Sequence, residues 1–208
     1  MDLTNIKNLV FDLGGVIINL HIEATLEEFS RLSGKTLDEI KASYFRPEFF
    51  YQYEKGLIDD VEFSRALSAY MGITLSIDQV EKAWCKMLGE IHPERVEMLK
   101  KLSENYNLLL LSNTNRMHLD VFNDILFRAS GVPTMNDLFH KVYYSHEIHM
   151  RKPDDEIFLH VLRDSNIVAE ETIFLDDTME NLVTAQRLGI NTFHVTSPDV
   201  WVKQINER

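Results

Sequence analysis

The chain has 208 residues, of which 45% are hydrophobic and 26% are charged, a normal composition for a globular domain. The formal net charge of −12 argues against nonspecific binding to nucleic acid or to an anionic membrane surface. A single cysteine, Cys85, excludes an intramolecular disulfide. Because no apolar stretch is long enough to span a bilayer or to act as a secretory signal, we expect a cytoplasmic protein with a small-molecule partner.

The apolar pattern divides the chain into three parts. Residues 7–12 predict a strand, and residues 22–88 predict a helical region without strands. From residue 93 onward, predicted helices alternate with predicted strands. The helices of the middle region are predicted at 22–32, 36–44, 47–55, 61–71 and 77–88. The later helices are predicted at 93–104, 116–128, 154–164 and 180–188, and the later strands at 106–111, 141–145, 172–175 and 192–195.

This order of elements indicates an α/β fold. Strands that alternate with helices form a parallel sheet with helices on both faces. We therefore expect a Rossmann-like, doubly wound parallel sheet as the core, with a small helical-bundle cap inserted after the first strand. The predicted domains are a core of residues 1–18 and 92–208 and a cap of residues 19–91.

Polar residues occur in four segments that follow, or lie near, the predicted strand ends. These segments are 12–15, 112–115, 151–153 and 176–177. In an open parallel sheet such loops converge on one edge, where ligands bind. Together they supply a carboxylate, a hydroxyl beside an amide, a lysine and a pair of acids. Phosphoryl transfer needs this set: a nucleophile, donors to the phosphoryl oxygens, a fixed cation and a metal.

Taken singly, each segment has an ordinary structural explanation as well. Adjacent carboxylates at Asp176 and Asp177 repel unless a hard cation such as Mg²⁺ bridges them, but they also suit the start of a helix. Ser112 and Asn113 suit a phosphate site at a helix N-terminus, or a polar turn with a cap. Lys152 balances Asp12 and a phosphate, or is a solvated side chain at the start of a helix.

Jointly, the four segments resemble the motifs of the haloacid dehalogenase superfamily, which follow the same order. The resemblance is greatest to its bacterial α-D-glucose-1-phosphate phosphatase group. It covers nearly the whole chain, and the helical insertion resembles the cap of that superfamily. The segments that carry the resemblance are Phe11–Gly14, Leu111–Arg116, Met150–Pro153 and Asp176–Asn181.

The resemblance implies a role for each site residue and a Mg²⁺ cofactor. Asp12 is expected to be the nucleophile, with Lys152 orienting it and neutralising charge, and Asn181 is expected to steady the loop of the acid pair. The expected metal ligands are Asp12, the Gly14 carbonyl, Asp176 and Asp177. The residues expected to hold the phosphoryl group are Leu13, Gly14, Ser112, Asn113 and Lys152. In the cap, the candidate substrate residues are His21, Arg46 and Glu54.

Gly14 departs from the superfamily's pattern, because most of its phosphatases carry a second Asp there as acid and base. Losing such a group slows catalysis by about 10²–10⁴-fold. Three explanations are open. The enzyme is slow, or the cap supplies the proton from a residue such as His21 or Glu54, or the leaving group needs little protonation. The last explanation favours a sugar 1-phosphate, whose anomeric oxygen leaves more readily than an ordinary alcohol.

Three functions fit this sequence. The leading one is a Mg²⁺-dependent phosphatase acting on a small phosphomonoester, a sugar phosphate above all, through an aspartyl phosphate on Asp12. The second is a 2-haloacid dehalogenase that uses Asp12 as its nucleophile and needs neither proton donor nor metal. The third is a non-catalytic protein that binds a phosphorylated ligand, and only Gly14 supports it.

Overall fold

The computed structural model describes residues 2–43 and 47–206, and it contains a five-stranded parallel sheet and a separate two-stranded ribbon. The strands are β1 (Asn8–Phe11), β2 (Ile18–Leu20), β3 (Leu88–Ile91), β4 (Asn107–Ser112), β5 (Lys141–Tyr144), β6 (Thr172–Asp176) and β7 (Asn191–His194). In the sheet they lie in the order β5-β4-β1-β6-β7, each parallel to its neighbour. The ribbon pairs β2 with β3 in antiparallel orientation.

The helices cover both faces of this sheet and form a block between β2 and β3. The block contains α1 (Ile22–Ser33), α2 (Leu37–Ser43), α3 (Glu48–Glu54), α4 (Asp60–Met71) and α5 (Ile77–Trp84). The others are α6 (Pro93–Ser103), α7 (Arg116–Ser130), α8 (Ser145–Ile148), α9 (Asp155–Asp164), α10 (Met179–Arg187) and α11 (Val200–Asn206).

Side chains along the sheet strands alternate between two buried clusters, because successive residues of a strand point to opposite faces. Leu9 and Phe11 of β1 pack in one cluster with residues of α6, α7 and α11. Val10 packs in the other with residues of α9 and α10. The predicted α/β fold with a doubly wound parallel sheet is therefore confirmed.

The helical block has a buried cluster of its own, centred on Phe63 of α4. The Phe63 ring stacks on Tyr53 at 4.0 Å between centroids and lies 5.1 Å from Trp84. The β2–β3 ribbon joins this block to the sheet: β2 crosses the predicted domain limit at residues 18–19, and β3 ends at the limit at residues 91–92. The division into core 1–18 with 92–208 and cap 19–91 stays a prediction.

The prediction of a helix through residue 88 is wrong in its last four residues. Helix α5 ends at Trp84, a 3-10 turn covers Cys85–Met87, and β3 begins at Leu88. The ribbon strands are three and four residues long, which is too short to show the apolar alternation that identifies a strand. The short helices α8 and α11 were not predicted either.

Within the described ranges, the helices are too short or too polar to cross a membrane.

The Phe63 cluster gives a prediction for stability. Phe63 is fully buried, so Phe63→Ala removes a ring from packed surroundings and should lower the free energy of unfolding by about 3–5 kcal/mol. Phe127→Ala makes the same change on a side chain that is 57% exposed, and should cost less than about 1 kcal/mol. Urea unfolding of both variants measures the difference; equal losses would contradict the packing described for the helical block.

Candidate active site

The topology brings three sequence-distant carboxyl ends of strands together. β1 lies between β4 and β6, with Phe11 opposite Leu110 on one side and Leu175 on the other. Asp12 therefore emerges beside the end of β4, where Ser112 lies, and beside Asp176 at the end of β6. The four polar segments predicted to share one edge of the sheet contribute Asp12, Ser112, Lys152 and the acid pair to this edge.

Lys152 lies at the centre of this edge, with 1% of its surface exposed. Its ammonium Nζ is 2.8 Å from Asp12 Oδ1 and 2.7 Å from Asp176 Oδ2, and it donates a third hydrogen bond to the Leu111 carbonyl at 2.9 Å. All three ammonium hydrogens thus have an acceptor, which is what a buried lysine requires. The ammonium fixes the two carboxylates relative to each other.

Asn113 holds the main chain of Lys152. Its Nδ2 donates to the Lys152 carbonyl at 2.8 Å, and its Oδ1 accepts from the Lys152 N–H at 2.9 Å. This reciprocal pair ties the loop before α9 to the end of β4. The described contacts of the Asn113 side chain therefore position Lys152. A direct contact of Asn113 with a phosphoryl oxygen stays a prediction.

Asp176 is completely buried and accepts hydrogen bonds from more than Lys152. The Asn181 amide donates to both of its oxygens at 3.0 Å, and the Thr178 N–H donates to Oδ1 at 2.8 Å. Asn181 thus steadies the loop of the acid pair, as expected. Asp177, in contrast, is exposed, and its Oδ1 accepts a hydrogen bond from the Thr178 hydroxyl at 3.2 Å.

The electrostatics of the cluster follow from its burial. Burial raises the pKa of Asp12 to about 7; nearby Lys152 opposes this rise and Asp176 adds to it. Burial works against the charged form of Lys152, but the two neighbouring carboxylates hold its pKa above its ordinary value. Burial and then Asp176 raise the pKa of Asp177. When all three carboxyl groups are ionised, the one ammonium leaves two negative charges, which a divalent cation would balance.

The donor set fits Mg²⁺. One oxygen each from Asp12, Asp176 and Asp177 lies within 4.8 Å of the others. Carboxylate oxygens are the ligands that this hard cation prefers, and it usually keeps several waters as well. The predicted contribution of the Gly14 carbonyl stays a prediction.

The turn after Asp12 packs directly against the acid pair. Gly15 has φ +69°, a left-handed conformation that favours glycine, and its N–H donates to the Ile18 carbonyl at 2.9 Å. A Cβ at Gly15 would lie 2.3 Å from Asp177 Oδ2. At Gly14, a Cβ would lie 2.9 Å from Leu20 Cδ1. Leu20 of the ribbon therefore takes up space that a side chain at residue 14 would need.

A cavity of about 140 Å³ opens beside this turn. Its wall on the sheet side includes Leu13, Gly14, Ser112 and Asn113. Its wall on the helical-block side includes Phe50, Glu54 and Trp84. Since it adjoins the predicted phosphate-binding residues, the cavity suits the organic part of a small ester.

His118 of α7 also lines the cavity and was not singled out from the sequence. Its Nδ1 pairs with Asn115 Nδ2, and its Nε2 pairs with the Trp84 carbonyl, each at 3.3 Å. Burial lowers the pKa of His118 to about 4, opposed by the bond to Trp84, so the imidazole is neutral near pH 7. In an amphipathic helix such as α7, the sequence carries no signal that distinguishes a histidine lining a cavity from an ordinary core histidine.

The predicted cap residues differ in their placement. Glu54 lines the cavity, and its Oε2 accepts a hydrogen bond from Arg151 Nε at 3.0 Å. His21 lies outside the cavity wall; it is more than half exposed, and its Nε2 is 3.3 Å from Glu90 Oε2. Arg46 lies outside the described residues. The structure thus brings Glu54 to the site and leaves His21 on the ribbon.

The raised pKa of Asp12 gives a prediction for metal binding. Mg²⁺ binds the ionised carboxylate, so below about pH 7 binding must displace a proton from Asp12. The apparent affinity should be about tenfold weaker at about pH 6 than at about pH 8, with proton release on binding at the lower pH. Calorimetric titration in two buffers of different ionisation enthalpy measures both quantities. Asp12→Asn should bind more weakly and with a smaller pH dependence; equal affinity of the native protein at both pH values would contradict the assignment.

Comparison with known proteins places the chain in a family. The model of the haloacid dehalogenase-like hydrolases matches residues 6–189. The D-ribitol-5-phosphate phosphatase of Bacteroides thetaiotaomicron is 30% identical over 200 residues, which are 96% of this chain and 97% of that protein.

Two solved structures are similar over nearly their whole length. An enzyme of the haloacid dehalogenase (HAD) family from Bacteroides thetaiotaomicron, in complex with magnesium and inorganic phosphate, has a TM-score of 0.88 at 36% identity. The match covers 96% of this chain and 98% of that enzyme's chain. A HAD-like hydrolase of Porphyromonas gingivalis has a TM-score of 0.86 at 35% identity and covers 97% of both chains. The fold, the family match and these similarities agree with the resemblance seen in the motifs. The chain belongs to the haloacid dehalogenase-like hydrolase family.

Proposed function

We propose that this chain is a Mg²⁺-dependent phosphatase that hydrolyses a small sugar or polyol phosphate through an aspartyl phosphate on Asp12. The observation that carries the proposal is the buried Lys152 ammonium, which holds Asp12 beside a three-carboxylate cluster that fits a divalent cation. The relative named D-ribitol-5-phosphate phosphatase and the neighbour bound to magnesium and phosphate support the same activity.

The chemistry proceeds in two displacements at phosphorus. An Asp12 oxygen attacks the phosphorus, the bond to the ester oxygen breaks, and that oxygen leaves with the electron pair and takes a proton from water. A water molecule then attacks the aspartyl phosphate, which releases inorganic phosphate and restores the Asp12 carboxylate. Bound Mg²⁺ would offset the negative charge of the phosphoryl oxygens. Lys152 keeps Asp12 oriented, and Ser112 at the cavity wall offers a hydroxyl to the phosphoryl group.

Among the described residues that line the cavity, none is an obvious replacement for the proton donor absent at Gly14. The His118 imidazole is neutral near pH 7, and both of its ring nitrogens have partners. Glu54 is engaged by Arg151 and is better suited to accept a hydrogen bond from a substrate hydroxyl. Both observations support the explanation in which the leaving oxygen needs little protonation.

The two other functions suggested by the sequence fit this site less well. A haloacid dehalogenase acts on an anionic substrate without a metal, and three clustered carboxylates would repel that substrate. A binding protein would not need a carboxylate held at 2.8 Å by a buried lysine in the position of a nucleophile. The phosphatase accounts for the acid cluster and for Lys152 together.

The first test is phosphate release from a panel of sugar and polyol phosphates and p-nitrophenyl phosphate. Release should require Mg²⁺, stop when EDTA is added, and fall by at least about 10³-fold in Asp12→Asn, because the amide is not a nucleophile. Asp120→Asn, on the exposed surface of α7, is the matched control and should keep full activity. Turnover by Asp12→Asn at the native rate would contradict the assigned nucleophile.

The second test concerns the leaving group. If protonation is unassisted, the single-turnover rate of alcohol release, with enzyme in excess, should be higher for α-D-glucose 1-phosphate than for glucose 6-phosphate, by about tenfold or more. A single turnover isolates the first displacement, because hydrolysis of the aspartyl phosphate is the same for every substrate. D-Ribitol 5-phosphate belongs in the same series, because the relative is named for it. Equal single-turnover rates for the 1-phosphate and the 6-phosphate would remove the leaving-group argument and leave the phosphatase assignment in place.

A further inference from the structure

The turn between Asp12 and the ribbon has carbonyl groups that the sheet does not satisfy. Val16 and Ile17 are fully buried. The Val16 carbonyl accepts a hydrogen bond from the Trp201 indole Nε1 at 3.0 Å, and the Ile17 carbonyl accepts one from Arg95 Nη1 at 2.9 Å. A buried carbonyl without a hydrogen-bond partner is destabilising. The Trp201 and Arg95 side chains therefore hold the turn in the position in which both carbonyls are paired.

Arg95 is itself anchored. Its side chain, on α6, is 1% exposed, and its Nε and Nη2 donate to the same oxygen of Asp199 at 3.0 and 2.8 Å. Asp199 directly precedes α11 and neutralises the buried guanidinium. The Ile17 carbonyl, α6 and the start of α11 are therefore connected through one arginine.

Trp201 contacts the chain on both sides of the nucleophile. Its fully buried ring meets the Phe11 ring edge-on, with 5.2 Å between centroids, and Phe11 is the residue before Asp12. Its N–H reaches Val16, four residues after Asp12. One rigid side chain of α11 thus fixes both ends of the segment that contains Asp12, Gly14 and Gly15.

We propose that Trp201 and Arg95, with Asp199, are positioning residues that set the Gly14–Gly15 turn against the acid cluster. The inference rests on the proposed function, because its effect on catalysis is measured as the rate of phosphate release. The hydrogen bonds from Trp201 and Arg95 to this turn, called the tether below, depend on α11. Helix α11 follows residue 189, where the family match ends. The tether acts on the site because this turn packs directly against the acid pair: Gly15 is in the left-handed conformation, and a Cβ there would lie 2.3 Å from an oxygen of Asp177.

The test uses a variant that deletes the donor and keeps an aromatic ring, at the cost of part of the buried indole volume. Trp201→Phe retains a ring beside Phe11 and leaves the Val16 carbonyl unpaired. Tyr143→Phe is the matched control, because it also deletes a hydrogen bond from a buried ring, here to Asp164 at 2.8 Å. Both variants are compared by hydrogen exchange of the peptide covering residues 13–18, and by kcat and KM with p-nitrophenyl phosphate and saturating Mg²⁺.

Trp201→Phe should speed exchange in residues 13–18 and lower kcat by about tenfold to a hundredfold with KM within about twofold, because the turn moves while the cavity wall stays. Tyr143→Phe should change neither quantity, because its hydroxyl contacts Asp164 and Ser165 and not the turn. Unchanged exchange and kcat in Trp201→Phe would overturn the tether. If Trp201→Phe exchanges faster but the native protein releases no phosphate, the proposed function is contradicted and the tether is supported.

A second pair of variants covers the case in which Trp201→Phe does not fold. Asp199 is half-exposed, so its substitution spares the core. Asp199→Asn removes the charge that anchors Arg95 and should lower kcat by about threefold to tenfold, whereas Asp199→Glu keeps the carboxylate and should restore it. Equal kcat in both variants and the native protein would contradict the positioning role of Arg95.

Discussion

The structure of this site depends on one buried ammonium group. Lys152 Nζ lies between Asp12 and Asp176, within 2.8 Å of a carboxylate oxygen of each. Without it, two buried carboxylates would face each other at the end of neighbouring strands, which is unfavourable unless one of them takes up a proton. Lys152 removes part of that repulsion and leaves a charge deficit that a divalent cation fits. The arrangement thus suits a divalent cation beside Asp12.

The surrounding fold serves to keep this group in place. The sheet puts Asp12 between the ends of β4 and β6, and the Asn113 side chain holds the main chain of Lys152. On the opposite side of Asp12, Trp201 and Arg95 hold the carbonyls of the following turn. The helical block contributes the outer wall of the cavity. Catalytic geometry here comes from hydrogen bonds between segments that are far apart in sequence.

The sequence was informative where a local pattern determines structure. Apolar strands followed by polar residues predicted the sheet and the edge at which Asp12, Ser112, Lys152 and Asp176 meet. It was uninformative where the decisive contact is long-range. Arg95 resembles a solvated basic residue on a helix, and its role depends on Ile17 and Asp199.

The same limit explains other differences between the sequence analysis and the structure. The ribbon strands are too short to show a period, so the last predicted helix of the block was extended into β3. Glycine at residue 14 indicated a missing acid, but only the structure shows Leu20 in the adjacent space. His21 was a reasonable candidate by proximity in sequence, yet it lies outside the cavity wall and beside Glu90.

If turnover proceeds through a phosphorylated Asp12, the intermediate can be trapped chemically. Borohydride added during turnover of a phosphate ester with Mg²⁺ reduces an acyl phosphate to an alcohol, so an aspartyl phosphate becomes homoserine. We expect homoserine at residue 12 by peptide mass spectrometry, only when substrate and Mg²⁺ are both present. Sustained phosphate release with unmodified Asp12, or homoserine at Asp176 or Asp177 instead, would show that Asp12 is not the phosphorylated residue.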